Sequence, residues 1–166
     1  MTLTPPMQLY LPSEDATARL ARRMAPLLGA GDTLALSGPI GAGKSFFARA
    51  LIRARLNAVG RDEDIPSPTF TLVQTYDAGD LEIWHSDLYR LTHPDEVLEL
   101  GLEDAFDTAL CLVEWPDRMG NALPETALHL DFAAGDSDDA RRLTLRSQTD
   151  DWIAHLAPAL ADFADA

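Results

Sequence analysis

Eight consecutive residues, Gly38-Pro39-Ile40-Gly41-Ala42-Gly43-Lys44-Ser45, constrain the fold of this chain more than any other feature. They fill every fixed position of the pattern G-x-x-x-x-G-K-S/T. An apolar, β-prone run, Thr33–Ser37, leads in, and a helix-compatible run, Phe46 to Leu56, leads out. Glycines let the backbone bend so that successive N–H groups point at phosphate oxygens. The helix N-terminus adds positive dipole at the same spot. In such a loop Lys44 reaches the β- and γ-phosphates, and the Ser45 hydroxyl ligates Mg²⁺. The residues expected to bind nucleotide are therefore Gly38, Ile40, Gly41, Ala42, Gly43, Lys44 and Ser45. No Asn-Lys-x-Asp guanine signature occurs, so ATP with Mg²⁺ is the expected ligand.

The rest of the pattern places this loop in an α/β fold. Met7 to Leu11 reads as a short strand. Ser13 can cap a helix whose apolar residues Ala16, Leu20, Met24 and Leu28 recur every four positions. Gly29–Asp32 then turns into the strand at Thr33–Ser37. Gly60–Pro68 is polar and reads as a surface connection. Phe70–Tyr76 and Leu81–Ser86 form a hairpin around Asp77-Ala78-Gly79-Asp80. A helix is expected to start near Pro94 and break at Gly101, with a second piece over Leu102–Asp107. Ala109–Val113 is continuously apolar, as a central strand covered on both faces must be. Leu128–Phe132 and Leu143–Leu145 alternate, which predicts half-exposed antiparallel strands joined by Ala134–Ala140. Trp152, Ile153 and Leu156 mark a last helix that Pro158 should bend or end. The sum is a three-layer P-loop NTPase sandwich with a mixed, partly antiparallel sheet, in one domain over residues 1–166.

Charge narrows the partners. The formal net charge is −14, from 27 acidic and 13 basic residues, which argues against broad contact with a nucleic-acid backbone. Arg49, Arg53 and Arg55 follow the loop and read as a solvated helix face. The one cysteine, Cys111, lies in an apolar run and reads as a core thiol. The first residues lack the basic and apolar regions of a signal peptide, and no apolar stretch approaches the roughly 20 residues of a membrane span. These features predict a cytoplasmic protein with no membrane contact, and a monomer when isolated.

Two strand ends supply candidate acids, Asp87 and Glu114. Enzymes with such a loop need a carboxylate at the end of a core strand, to serve Mg²⁺ or to orient the attacking water. Glu114 fits better because its strand is the most apolar. Thr69, in Ser67-Pro68-Thr69-Phe70, follows a proline-stiffened turn and reads either as offering its hydroxyl or N–H to the γ-phosphate or Mg²⁺, or simply as part of a turn entering a strand. His85 reads either as a partner of Asp87 or as a solvent-facing strand residue. Trp84 and Trp115 read as core or pocket wall. Asp117-Arg118-Met119-Gly120 matches the short D-x-x-G pattern of GTPases, which carries little weight alone.

Four segments in order, GPIGAGKS (Gly38–Ser45), SPTFTLV (Ser67–Val73), HSDLYRL (His85–Leu91) and LVEWPDRM (Leu112–Met119), resemble the TsaE (YjeE) family. The resemblance spans roughly Ser13 to Phe132. Ser45 stands where threonine is more usual in that family, which keeps the hydroxyl. Phe46 and Phe47 stand where smaller residues are common. The resemblance implies a slow P-loop ATPase of bacterial tRNA threonylcarbamoyladenosine biosynthesis. It would act on a complex of the TsaB and TsaD proteins, which meets tRNA directly, and support repeated turnover of that complex. It further implies that Lys44 and Ser45 hold phosphate and Mg²⁺ and that Glu114 serves the metal or its water. Thr69 and Asp87 would complete the site or sense nucleotide state. A non-catalytic nucleotide-dependent adaptor and a small-molecule kinase remain as alternatives, the kinase needing an arginine-bearing lid.

Overall fold

The computed structural model describes residues 7–93, 95–148 and 151–163. In chain order the strands and helices are β1 (Met7–Leu11), α1 (Glu14–Met24), β2 (Thr33–Ser37), α2 (Lys44–Ala58), β3 (Val73–Ala78), β4 (Leu81–Asp87), α3 (Glu96–Leu100), α4 (Leu102–Thr108), β5 (Leu110–Glu114), β6 (Leu128–Ala134), β7 (Arg141–Arg146) and α5 (Asp151–Leu160). The strands form one seven-stranded sheet in the order β1-β7-β6-β2-β5-β4-β3. Its centre, β6-β2-β5-β4, is parallel, and β3, β7 and β1 extend it by antiparallel pairing. This is the mixed sheet expected from the sequence.

Helices cover both faces, which is why the two innermost strands are apolar along most of their length, Leu34–Leu36 of β2 and Leu110–Val113 of β5. All five residues of β5 are buried. Leu110 and Leu112 join the core beneath α1, α2 and α5, whereas Cys111 and Val113 join a second cluster with Leu102 and Phe106 of α4. Burial pushes the Cys111 thiol up to about 12, as befits a packing residue and not a nucleophile. Ser13 caps α1, its Oγ accepting from the Ala16 N–H at 3.1 Å, and Ala16, Leu20 and Met24 turn inward. Phe47 of α2 meets Phe132 of β6 edge-on, with ring centroids 5.7 Å apart.

Several local expectations change. Phe70–Leu72 is turn and not strand: the Leu72 N–H bonds the Pro68 carbonyl at 2.7 Å, and Leu72 takes a positive φ of 69°. The strand begins only at Val73. β6 is antiparallel to β7 alone and runs parallel to β2 on its other side. Pro158 does not end α5: it lies inside the helix, which continues to Leu160. Arg55 donates to the Ala25 and Leu28 carbonyls, both at 2.9 Å, and so satisfies the chain beyond α1 instead of facing water. Pro94, the side chain of Ile153 and the first six residues lie outside what the structure describes. Among the described residues no helix is long and apolar enough to cross a membrane.

Candidate nucleotide site

Strand parity builds the acidic side of the site. Alternate residues of a strand face the same way, so Glu114 shares the face of Leu110 and Leu112, and Asp87 shares that of Ile83 and His85. That face carries Phe47 and Leu51 of α2 in its core, and α2 begins at Lys44. In the parallel register of β4 and β5, Asp87 and Glu114 are direct neighbours. The sheet thus delivers two carboxylates side by side under the start of the helix that follows the loop.

The loop shape depends on its glycines. Gly43 caps α2 with φ of 103°. Gly38 has φ of 139°, and a Cβ there would stand 2.5 Å from the Phe132 carbonyl oxygen. Gly38→Ala is expected to destabilise the protein by about 2 kcal/mol or more, through strain and overlap with backbone that cannot swing aside. A urea midpoint equal to that of the unaltered protein would contradict this.

Side chains then close the site. The Ser45 hydroxyl lies 2.9 Å from each oxygen of Glu114 and donates to that carboxylate. On the other side His85 Nε2 lies 2.6 Å from Glu114 Oε2. Both acids are buried: Glu114 is 2% and Asp87 6% exposed. Asp87 accepts from the Tyr89 N–H at 3.0 Å and from the Thr69 hydroxyl at 3.4 Å, while Thr69 shares a 2.9 Å hydrogen bond with Ser67. Lys44 donates to the Gly38 and Pro39 carbonyls. Its ammonium also sits 3.8 Å from the centre of the Trp115 ring. Burial lowers the Lys44 pKa, and the charges of Glu114, Asp87 and Asp117 oppose that shift. Trp115 takes a left-handed conformation, φ of 59°, with its N–H bonded to the Leu36 carbonyl at 3.2 Å. Arg141, at the start of β7, donates to the Ala42 carbonyl at 2.7 Å and to that of Gly41 at 3.0 Å.

The sequence candidates converge. Ile40, Gly41, Gly43, Lys44, Ser45 and Thr69 line a cavity of about 510 Å³ together with Asp87 and Glu114. Gly38 and Ala42 support the loop from behind, through the Lys44 and Arg141 hydrogen bonds. The hard oxygen donors of Ser45, Glu114 and Asp87 suit Mg²⁺, which takes few protein ligands and completes its shell with phosphate and water. They fit the metal expected from the loop. His85 differs from both of its sequence readings: it is fully buried and bonds Glu114, not Asp87. Trp115 is pocket wall. Pro116–Met119 is a 3₁₀ turn, so the D-x-x-G match falls in a tight bend after β5. Arg141 and Tyr89 were not among the candidates, and no local pattern marks Arg141, which lies 99 residues from the carbonyl it holds.

Comparison with known proteins bears on the fold and on the family. The fold is that of a crystal structure of Bacillus subtilis YdiB, with a TM-score of 0.75 over 98% of this chain and 97% of that one, at 24% identity. A tRNA threonylcarbamoyladenosine biosynthesis protein TsaE from Rickettsia conorii is 40% identical over 128 residues, covering 77% of this chain and 71% of the relative. The TsaE of Haemophilus influenzae is 35% identical over 148 residues, covering 84% and 89%. The family model for the threonylcarbamoyl adenosine biosynthesis protein TsaE matches residues 11–143. That span holds the phosphate loop, both buried acids and Arg141, and the chain belongs to the TsaE family.

Proposed function

We propose that this protein binds and slowly hydrolyses Mg-ATP as the ATPase component of tRNA threonylcarbamoyladenosine biosynthesis, acting on a TsaB–TsaD-type complex. The observation that carries the reading is the Ser45–Glu114 contact, with both carboxylate oxygens at 2.9 Å, at the head of a complete phosphate loop. A serine hydroxyl whose proton is held by a buried carboxylate keeps its lone pairs for a cation. Ser45 and Glu114 are the residues that would hold Mg²⁺. When bound, the metal supplies positive charge against the β- and γ-phosphate oxygens.

The chain's own residues do the rest. Lys44 exchanges the Gly38 and Pro39 carbonyls for phosphate oxygens, which is favourable because a buried ammonium gains a charged partner. The loop N–H groups bind oxygens of the same phosphates. Asp87, next to Glu114 and held by Thr69 and the Tyr89 N–H, is placed to orient the attacking water. Thr69 reports the γ-phosphate to the turn at Ser67–Phe70. The kinase alternative loses ground, because between the end of α2 and Glu114 the described residues form a hairpin and helices of five and seven residues, too short for a lid.

A net charge of −14 suits a protein that leaves tRNA to its partners. The test is a modification assay with unmodified tRNA in excess over TsaB–TsaD. The proposal expects more than one modified tRNA per complex only when this protein and ATP are both present. Equal yields with and without it would overturn the assignment.

A further inference from the structure

We propose that His85 is a positioning residue for the metal side of the site, acting through Glu114; this rests on the Mg-ATP reading above. Ser45 Oγ stands at the same 2.9 Å from both oxygens of Glu114. That contact therefore does not choose between them. The last torsion of a glutamate is intrinsically broad, so something else must fix the carboxylate plane. His85 does so by engaging Oε2 alone, at 2.6 Å. The carboxylate only accepts, so the imidazole donates from Nε2.

Packing does not explain a histidine here. His85 is fully buried on the inward row of β4, behind Leu81 and Ile83. Its Nδ1 is buried without a hydrogen-bond partner among the described residues. An unpaired buried polar atom weakens a fold, and an aliphatic side chain of similar size would avoid that loss. The gain lies in the site. With the carboxylate fixed from below, the Ser45 proton is held on Glu114 and the serine lone pairs stay turned to the cavity. Second-shell donors to ligating groups act in this way, and they tune affinity for the metal.

The experiment titrates the full chain with a non-hydrolysable ATP analogue across a series of Mg²⁺ concentrations, by calorimetry. The wild-type protein should bind the analogue more tightly as Mg²⁺ rises. His85→Leu is expected to raise the half-saturating Mg²⁺ concentration by about tenfold or more, and His85→Gln, whose amide donates from nearly the Nε2 position, by no more than about threefold. Metal-free affinity and the thermal midpoint of His85→Leu should not fall. In a Glu114→Ala background His85→Leu should add no further shift, because the side chain it acts through is gone. An unchanged Mg²⁺ dependence in His85→Leu overturns this inference alone. A shift that persists undiminished without the Glu114 carboxylate also overturns it. A wild-type protein whose nucleotide affinity ignores Mg²⁺ overturns the underlying reading instead. If His85→Leu fails to fold, His85→Asn, too short to reach Oε2, replaces it with the same expected shift.

Discussion

Lys44→Ala should weaken Mg-ATP binding by about a hundredfold or more, since a charge-assisted hydrogen bond contributes roughly 1.5–3 kcal/mol and Lys44 can make more than one. The environment of the lysine sharpens the expectation. It is only 5% exposed, so its charge is poorly screened. Its pKa is lowered by burial, which means that the folded protein keeps this ammonium against an energetic cost. A residue retained for stability would not be placed so. Its stack on Trp115 and its bonds to loop carbonyls hold it at the cavity, where phosphate oxygens would replace them. The alanine variant should therefore fold normally and fail to bind. Calorimetric titration with Mg-ATP checks this, with the thermal midpoint as control. Unchanged affinity in a folded variant would remove the phosphate-loop reading altogether.

The second large effect concerns Glu114. Glu114→Gln keeps the size of the side chain and an oxygen that accepts from His85 and Ser45. It deletes the negative charge. Hydrolysis is expected to fall by about 10²-fold or more, the usual scale for removing one preorganised electrostatic contact. Nucleotide affinity should change by less than about tenfold, because the loop and Lys44 remain. A single-turnover measurement of phosphate release, set beside the calorimetric affinity, separates the two. A variant that binds ATP without hydrolysing it also divides the ATPase from the adaptor. If that variant still supports repeated tRNA modification, hydrolysis is not what the partners use.

The parts of this account that were legible in the sequence are those fixed by local chemistry. The loop, its helix and the two buried strands announce themselves through glycines and through apolar runs that only a doubly covered strand tolerates. Asp87 and Glu114 were legible as strand ends, and their adjacency follows once β4 and β5 pair in parallel. What failed to show depends on neighbours in space. Phe70-Thr71-Leu72 has strand-forming side chains, but the hydrogen bond from Leu72 to Pro68 keeps the chain in a turn. The alternation in Leu128–Phe132 is the same whether the next strand runs up or down, so the parallel pairing with β2 was hidden. Parity places His85 and Asp87 on one face, yet it does not reveal that the imidazole crosses to the acid on β5. Arg141 was invisible for the same reason: a long chain separation leaves no spacing to read.

Phosphate release from Mg-ATP by the purified protein, alone and with a TsaB–TsaD pair and unmodified tRNA, decides whether a partner-driven ATPase is at work. The expected result is a slow rate alone that rises when the partners are added and disappears in Lys44→Ala. A rate indifferent to the partners, or one that survives the loss of Lys44, would contradict it.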